Sequence, residues 1–267
     1  MDMENKFGRT TELKIVANVV QGRTILEESF FTAPLKIMNP FYRNNKIMQV
    51  MQLSASAALM AGDMQKIFIE AKEGSCLEFT SQSYEKIHRM EDGEARRDTR
   101  IIVGKAAFLS YNPLPVIPFK GSAFQSSTEV VLEDKNSRFI MCDIISCGRY
   151  ARGERFQYRY YKSLINIYVN QKLIYRDNTN FIPDLFDLEQ IGLFEGYSHV
   201  ANMVICNLNL SDDFMEKIRI QLEDIPKVSG GITRLESGDI LIKVFGNNAQ
   251  ILEEICCKIT REHIEEI

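Results

Sequence analysis

The sequence predicts a mainly β protein, a solenoid-like stack of β coils or a folded-over sandwich, with a small α/β annex that carries two C-terminal α-helices. Three observations predict it. Residues 13–132 read as short apolar strands separated by turns, without helical periodicity. The turns Glu73-Gly74, Gly104-Lys105, Lys135-Asn136 and Asn170-Gln171 form a weak internal repeat, with Gly74, Gly104, Asn136 and Asn170 spaced 30, 32 and 34 residues apart. Near residue 210 the apolar spacing becomes helical. The expected boundaries are a β-rich body over residues 1–208 and a helix-strand-helix annex over 209–267, packed on the body as one structural unit.

The unit Thr99-Arg100-Ile101-Ile102-Val103, turn Gly104-Lys105, then Ala107-Phe108-Leu109 illustrates the strand pattern. The stretch Asn112-Pro113-Leu114-Pro115-Val116-Ile117-Pro118-Phe119 cannot donate a continuous ladder, because each proline lacks an amide hydrogen. It is expected as an extended crossover, serving as a rigid corner or a docking ledge. The run Cys142-Asp143-Ile144-Ile145-Ser146-Cys147-Gly148-Arg149-Tyr150-Ala151-Arg152-Gly153-Glu154 reads as a buried strand that holds four charges. In an extended segment Asp143 and Arg149 share one face, and Arg152 and Glu154 another. Burial of such charges demands opposite partners; the alternative is a solvated hairpin edge whose charges discourage aggregation.

In the annex, Ser211 is placed to cap a helix through Phe214, Ile218 and Leu222, ended by Pro226 and Gly230-Gly231. A strand follows over residues 239–245. The last segment spaces Ile251, Leu252, Ile255, Ile259 and Ile264 for a second helix.

A chain of 267 residues with 45% hydrophobic content supports one large all-β domain or two modest ones. The net charge of −4, with 32 Lys and Arg scattered rather than striped, argues against nucleic acid or an anionic membrane as the main partner. Six irregularly spaced cysteines and no leader pattern point to reduced thiols and a cytoplasmic protein. No apolar run approaches the roughly 18 residues that span a bilayer.

His88, His199 and His263 sit in no catalytic elbow or box, and no GxxxxGK[ST] loop is present, so neither nucleophilic catalysis nor nucleotide binding is expected. There is no CxxC pair; the vicinal Cys256-Cys257 falls in the last helix, with at least one thiol toward the core. Oxygen ligands remain, and Asp63, Asp143, Glu154 and Asp177 are the candidates for a weak, transient metal site. The segment Thr80-Ser81-Gln82-Ser83-Tyr84-Glu85-Lys86 either satisfies a tight turn or lines a hydrophilic passage.

Phe31-Thr32-Ala33-Pro34-Leu35-Lys36, Met60-Ala61-Gly62-Asp63, Thr80-Ser81-Gln82-Ser83-Tyr84-Glu85-Lys86-Ile87-His88 and Gly148-Arg149-Tyr150-Ala151-Arg152-Gly153-Glu154 occur in an order that resembles the urease accessory proteins UreD, called UreH in some bacteria. Tyr175-Arg176-Asp177-Asn178-Thr179 and Phe194-Glu195-Gly196-Tyr197-Ser198-His199 extend the resemblance, which is strong over about residues 13–205 and nearest to the UreH subtype. It implies a helical coil of strands with two helices toward the C-terminus and a non-enzymatic role. It also implies a complex with UreF and, through it, the GTPase UreG, likened to a dimeric heterocomplex that delivers Ni2+ to the urease apoprotein through an internal passage, with no tightly bound cofactor. Carried over residue by residue, Asp63, Asp143, Glu154 and Asp177 are implied as nickel-passage carboxylates, and Ser81, Gln82, Ser83, Lys86, Arg149 and Arg152 as polar lining. The chain departs from the family at Ser54-Ala55-Ser56-Ala57-Ala58-Leu59-Met60-Ala61-Gly62-Asp63, where a glycine-rich loop is usual. The alternative reading is a β-rich assembly platform or chaperone for another client, without ion conduction. A metal-dependent hydrolase using Asp143 and Glu154 is the weakest reading, since no histidine motif supports it.

Overall fold

The computed structural model describes residues 8, 10–43 and 46–264, with the side chains of 263 and 264 outside that set. The chain opens with an antiparallel hairpin, β1 (Thr10–Val20) and β2 (Arg23–Phe31). The short β3 (Leu35–Ile37) and β4 (Phe41–Arg43) both pair antiparallel with β5 (Ile47–Ser54).

From there the chain coils between two sheets. β6 (Met64–Ala71) lies parallel to β1, and β7 (Cys76–Ser81) crosses to lie parallel to β5. The next coil adds β8 (Glu85–Ile87), then β9 (Ala95–Val103) on β6 and β10 (Phe108–Asn112) on β7. The third adds β11 (Val116–Pro118), the extended crossover expected from its prolines, then β12 (Ala123–Leu132) on β9 and β13 (Arg138–Ser146) on β10. β14 (Tyr160–Val169) continues the first sheet beside β12.

The repeat turns are the points of crossing. Glu73-Gly74, Gly104-Lys105 and Lys135-Asn136 each carry the chain from the first sheet to the second and stack on one another. Gly74 N donates to Lys105 O at 2.9 Å, and Arg138 N to Ala107 O at 2.9 Å. The stack leaves no room for a side chain at Gly104, whose Cβ would sit 2.7 Å from Glu73 N. The fourth turn differs from the expectation. Asn170 and Gln171 both adopt positive φ, 48° and 64°, so the chain reverses in a tight hairpin and β15 (Lys172–Phe181) stays in the first sheet, antiparallel to β14.

β16 (His199–Cys206) returns antiparallel along β13. Helix α1 (Asp212–Glu223) starts as expected, with Ser211 Oγ accepting from Phe214 N at 3.2 Å and Asp212 and Asp213 in the first turn, where the helix dipole favours them. It ends three residues before Pro226. Gly230 and Gly231, expected as its terminator, lie instead inside a strand, β17 (Val228–Arg234), which pairs with β18 (Ile240–Gly246). The annex is therefore helix-strand-strand-helix, closed by α2 (Ala249–Ile264). A Cβ at Gly230 would lie 3.1 Å from Leu222 Cδ1, so the residue that hides the strand from propensity is the one that lets α1 approach it.

β18 hydrogen-bonds to β16, so the annex strands extend the second sheet, ordered β17-β18-β16-β13-β10-β7-β5-β3; the first runs β15-β14-β12-β9-β6-β1-β2. One apolar core fills the space between the sheets, including Ile15, Ile69, Phe79, Ile101 and Val130. A second lies between the outer face of the second sheet and both helices, with Ile218, Leu222, Leu252 and Ile259 packed on Phe108, Ile140 and Ile242. A third, rich in aromatic residues, closes the end around Phe124, Tyr161 and Phe194.

The charged run is not one strand. β13 ends at Ser146. Gly148 then takes φ +137°, with its missing Cβ only 2.8 Å from Glu154 O, and residues Tyr150–Arg152 form a single tight turn. The alternation expected to relate Asp143 to Arg149 and Arg152 to Glu154 stops at that glycine.

Candidate functional site

The apolar filling of the coil is interrupted by a polar belt. In a parallel sheet, residues in register on neighbouring strands stand side by side, and alternate residues face the same way. Across the first sheet, register aligns Thr11, Gln65, Arg97, Ser126, Ser163 and Thr179 in one inward row. The next row contains Ile67, Thr99, Thr128, Ile165 and Asp177. Beyond it Ile69, Ile101, Val130 and Ile167 are apolar, and on the other side Phe124, Tyr161 and Phe181 are aromatic. From the facing sheet Gln52 and Ser81 stand in register, as do Asp143 and Asn202.

The belt encloses a cavity of about 60 Å³, room for a few water-sized species. Its wall includes Ser81, Ser83, Tyr84, Glu85, Lys86, Arg97, Tyr111, Ser126, Thr128, Asp143, Tyr161 and Ser163. Ser83 and Lys86 are exposed and mark its outer end, where the backbone of the alanine-rich loop also arrives. That loop closes without its usual glycines: Ser56 Oγ donates to Ala58 O at 2.8 Å, and Leu59 bridges to Ile87, leaving Ala57 and Ala58 against the cavity. The Tyr84 hydroxyl donates to Glu253 and so ties this end to α2.

One ion pair crosses the belt. The Arg97 guanidinium binds Glu85, with side chains 12% and 15% exposed, while its Nε donates to Gln65 Oε1 at 2.8 Å and its Cζ lies 5.7 Å from the Phe124 ring centroid. Asp143 is treated differently. It is half-buried on the cavity wall, and among the described residues no hydrogen bond or ion pair reaches its carboxylate. Burial pushes its pKa up to about 6, Asp177 adds to the rise, and the Arg97 charge opposes it. The Tyr111 and Tyr161 hydroxyls are raised by burial as well and stay neutral. Opposite Asp143, the buried Asn202 Oδ1 has no partner among the described residues.

The remaining candidates are dispersed. Asp177 lies on β15 in the second polar row, half-buried, with its Oδ2 accepting from Thr179 Oγ1 at 2.8 Å; it bears on Asp143 electrostatically without lining the cavity. Gln82 is exposed and does not line the cavity. Asp63 sits in a separate surface hollow with Gly93, Glu94, Arg96 and Tyr160, and its Oδ2 accepts from Met60 N at 2.8 Å. Arg149 and Glu154 form an ion pair on the turn after β13. Glu154 Oε2 accepts from Arg149 Nε at 2.8 Å and from Lys120 N at 3.1 Å, and Arg149 lies 4.2 Å from the Phe119 ring centroid. The Arg149 hydrogen bond holds the Glu154 pKa below the usual carboxylate value. Arg152 is exposed on the same turn.

His88 is exposed, and His199 is buried against Ser198 Oγ at 2.7 Å with its pKa lowered by burial to about 4; the His263 side chain lies outside the described residues. All six cysteines are free; Cys256 is buried with its thiol against that of Cys142, and Cys257 is exposed. Among the described residues no group of three or more His, Cys, Asp or Glu is placed to hold a metal ion, and no helix is long and apolar enough to cross a membrane.

Arg97, Gln65, Ser126, Ser163 and Asn202 were not foreseen from the sequence. Gln65, Ser163 and Asn202 stand as polar residues on strand faces otherwise apolar or aromatic, whereas Arg97 and Ser126 share their faces with Thr99 and Thr128 and carried no such signal.

A family profile described as UreD urease accessory protein matches residues 9–265. The chain is 39% identical to the urease accessory protein UreD of Acetivibrio thermocellus over 254 residues, 95% of this chain and 97% of that one. It is 34% identical to UreH of Helicobacter pylori over 258 residues, 96% of each chain, and 38% identical to UreH of Helicobacter hepaticus over 253 residues, 93% and 96%.

Proposed function

Since this chain belongs to the UreD urease accessory protein family, we propose that it is a non-enzymatic, cytoplasmic scaffold of urease maturation that conducts nickel through its polar belt to the urease apoprotein. In this reading it binds UreF and, through it, the GTPase UreG, within a dimeric heterocomplex. The observation that carries the reading is the Asp143 carboxylate, which no hydrogen bond or ion pair reaches among the described residues, on a cavity whose wall includes hydroxyl, carboxylate and amide oxygens. Carboxylates, hydroxyls and amide oxygens hold a divalent ion less tightly than thiolates, which suits a cargo that must be released. An internal ion path also needs water-sized space with polar atoms on its wall, and the cavity beside the two polar rows supports the reading on that point.

The partner reading is supported by the exposed apolar loop after β15, where Leu185 and Ile191 are 69% and 90% exposed and Phe186 is half-exposed, since such surface is unusual on a solitary protein. That loop equally favours the platform reading, in which the chain assembles a client without conducting an ion. Urease nickel content in cells carrying the full maturation set separates the two. Asp143→Asn is expected to lower nickel content while the UreF complex is recovered in normal yield. Normal nickel content with a normal complex removes the conduit and leaves the platform.

A further inference from the structure

A strand at the edge of a sheet presents unpaired amides and carbonyls along one side, and this chain blunts most of its edges. In the first sheet, β2 carries Arg23, Glu27 and Glu28, and β15 carries Lys172, Arg176 and Asp177; each has a break in register with its neighbour. The second sheet ends on one side in β3, three residues long. Its other edge is β17, where none of these devices is present. Residues 228–234 pair with β18 in unbroken register and contain no proline. Their one charge, Arg234, stands at the end, held by Asp212 and the Leu210 carbonyl. Among the described residues no hydrogen bond reaches the main chain of β17 from its outer side, and Ser229, Gly230, Gly231 and Thr233 are exposed.

The two glycines of β17 differ in cause. Gly230 faces the helices and makes way for Leu222. Gly231 faces the other way, with Ser229 and Thr233; a Cβ there would meet nothing within 4 Å, and its φ lies outside the positive range. Glycine weakens a strand interior, and nothing in the packing of this chain requires it at 231. A strand glycine that its own fold does not need marks a place where another backbone or a large side chain comes close. We infer that β17 is a docking edge that takes an extended segment of a partner protein as an added strand. The two faces set the chemistry of that segment. Beside Val228 and Ile232, on the helix side, it presents apolar residues that continue the core there. Opposite Gly231 it presents an aromatic or other large side chain, which covers the bare main chain. Main-chain hydrogen bonds supply the affinity and the alternating side chains supply the choice of partner. A second copy of the chain fits less well, because antiparallel pairing of the whole strand with itself is centred on Gly231 and sets glycine against glycine. The edge belongs to the annex and does not depend on the cavity or on ion conduction.

The test is amide hydrogen exchange in the full chain, alone and with purified UreF or urease apoprotein as the probe. One of the two proteins is expected to slow exchange at residues 228–234 by roughly tenfold or more. Ser229→Lys/Thr233→Lys places charges on the exposed face of the edge, where no packing is disturbed; it is expected to weaken that association roughly tenfold with an unchanged thermal midpoint. Gly231→Val improves strand propensity and fills the space open to the partner; it is expected to raise the thermal midpoint and to weaken the association roughly tenfold. A gain in stability joined to a loss of binding is the mark of a glycine that serves an approaching strand. If neither protein slows exchange at 228–234, or if the slowing persists unchanged in both variants, the docking edge is overturned. Slowing that appears in the chain alone as its concentration rises makes β17 an interface between copies and overturns the foreign segment. A lower thermal midpoint in Gly231→Val shows that the glycine serves the fold and overturns its assignment to a partner.

Discussion

Asp143 and Glu154 leave the same short run of sequence and meet opposite fates. Asp143 ends in the enclosed belt with no hydrogen bond from any described residue. Glu154 lies beyond Gly148 on the outer turn, where it receives both the Arg149 guanidinium and the Lys120 amide. A carboxylate with a purely structural place takes partners as Glu154 does, because leaving one buried and unpaired costs several kcal/mol. Asp143 bears that cost, and an unrelieved cost inside a cavity is a functional sign. The density of charge in a sequence is thus a poor guide to function; the better guide is which charge the fold leaves unsatisfied.

The largest effect that can sharpen this contrast is on stability. The Asp143 pKa is raised from 3.8 to about 6 in the folded chain, so the folded state holds a proton that the unfolded state has released between those values. Stability from this group is greatest below about pH 4 and is lost as the pH rises through 6. Asp143→Asn removes the penalty and is expected to stabilise the chain by about 2–3 kcal/mol at pH 7, since each tenfold change in proton affinity is worth about 1.4 kcal/mol. The gain should shrink as the pH is lowered and vanish near 4. Denaturant midpoints at pH 7, 5.5 and 4 check it; a destabilised variant at pH 7 would mean that Asp143 is a satisfied structural acid like Glu154.

Much of the coil was legible because turn chemistry is local. The crossings at Gly74, Gly104 and Asn136 and the Ser211 cap could be read from a few residues each. The belt was legible only in part. Ser81, Ser83, Lys86 and Asp143 could be singled out, but Arg97 could not, because β9 carries polar residues on both faces. Arg96, Asp98 and Arg100 are exposed, whereas Arg97 and Thr99 point inward. Alternation says which residues share a face and is silent on which face is inside when both are polar. Asn202 was hidden for another reason: that its buried Oδ1 has no partner among the described residues shows only in three dimensions.

The second effect is on delivery. Asp143→Asn should lower urease nickel content roughly tenfold, whereas Glu154→Gln, outside the cavity, should change it by less than about twofold. The two variants are measured in the same cells with UreF complex yield as the control. Equal loss from both would place the turn on the ion's route and erase the distinction between the two carboxylates.

The smallest effect is on the stability of the turn. The Arg149 and Glu154 side chains are 31% and 13% exposed, so removal of Glu154 leaves a guanidinium that water and the Phe119 ring still serve, rather than a stranded buried charge. The Glu154 pKa is depressed below 4.5, so its contribution is present above that value and is lost as the pH falls through the folded pKa. Glu154→Gln should therefore be slightly less stable than the unaltered chain at pH 7 and indistinguishable from it well below pH 4. The sign is opposite to that of Asp143→Asn at pH 7, while both differences fade in acid. Arg149→Met/Glu154→Gln should be no less stable than Glu154→Gln alone. A single variant that is insoluble, with the double variant recovered, would show that the pair is held as tightly as a buried one and that both carboxylates of the run carry a desolvation cost.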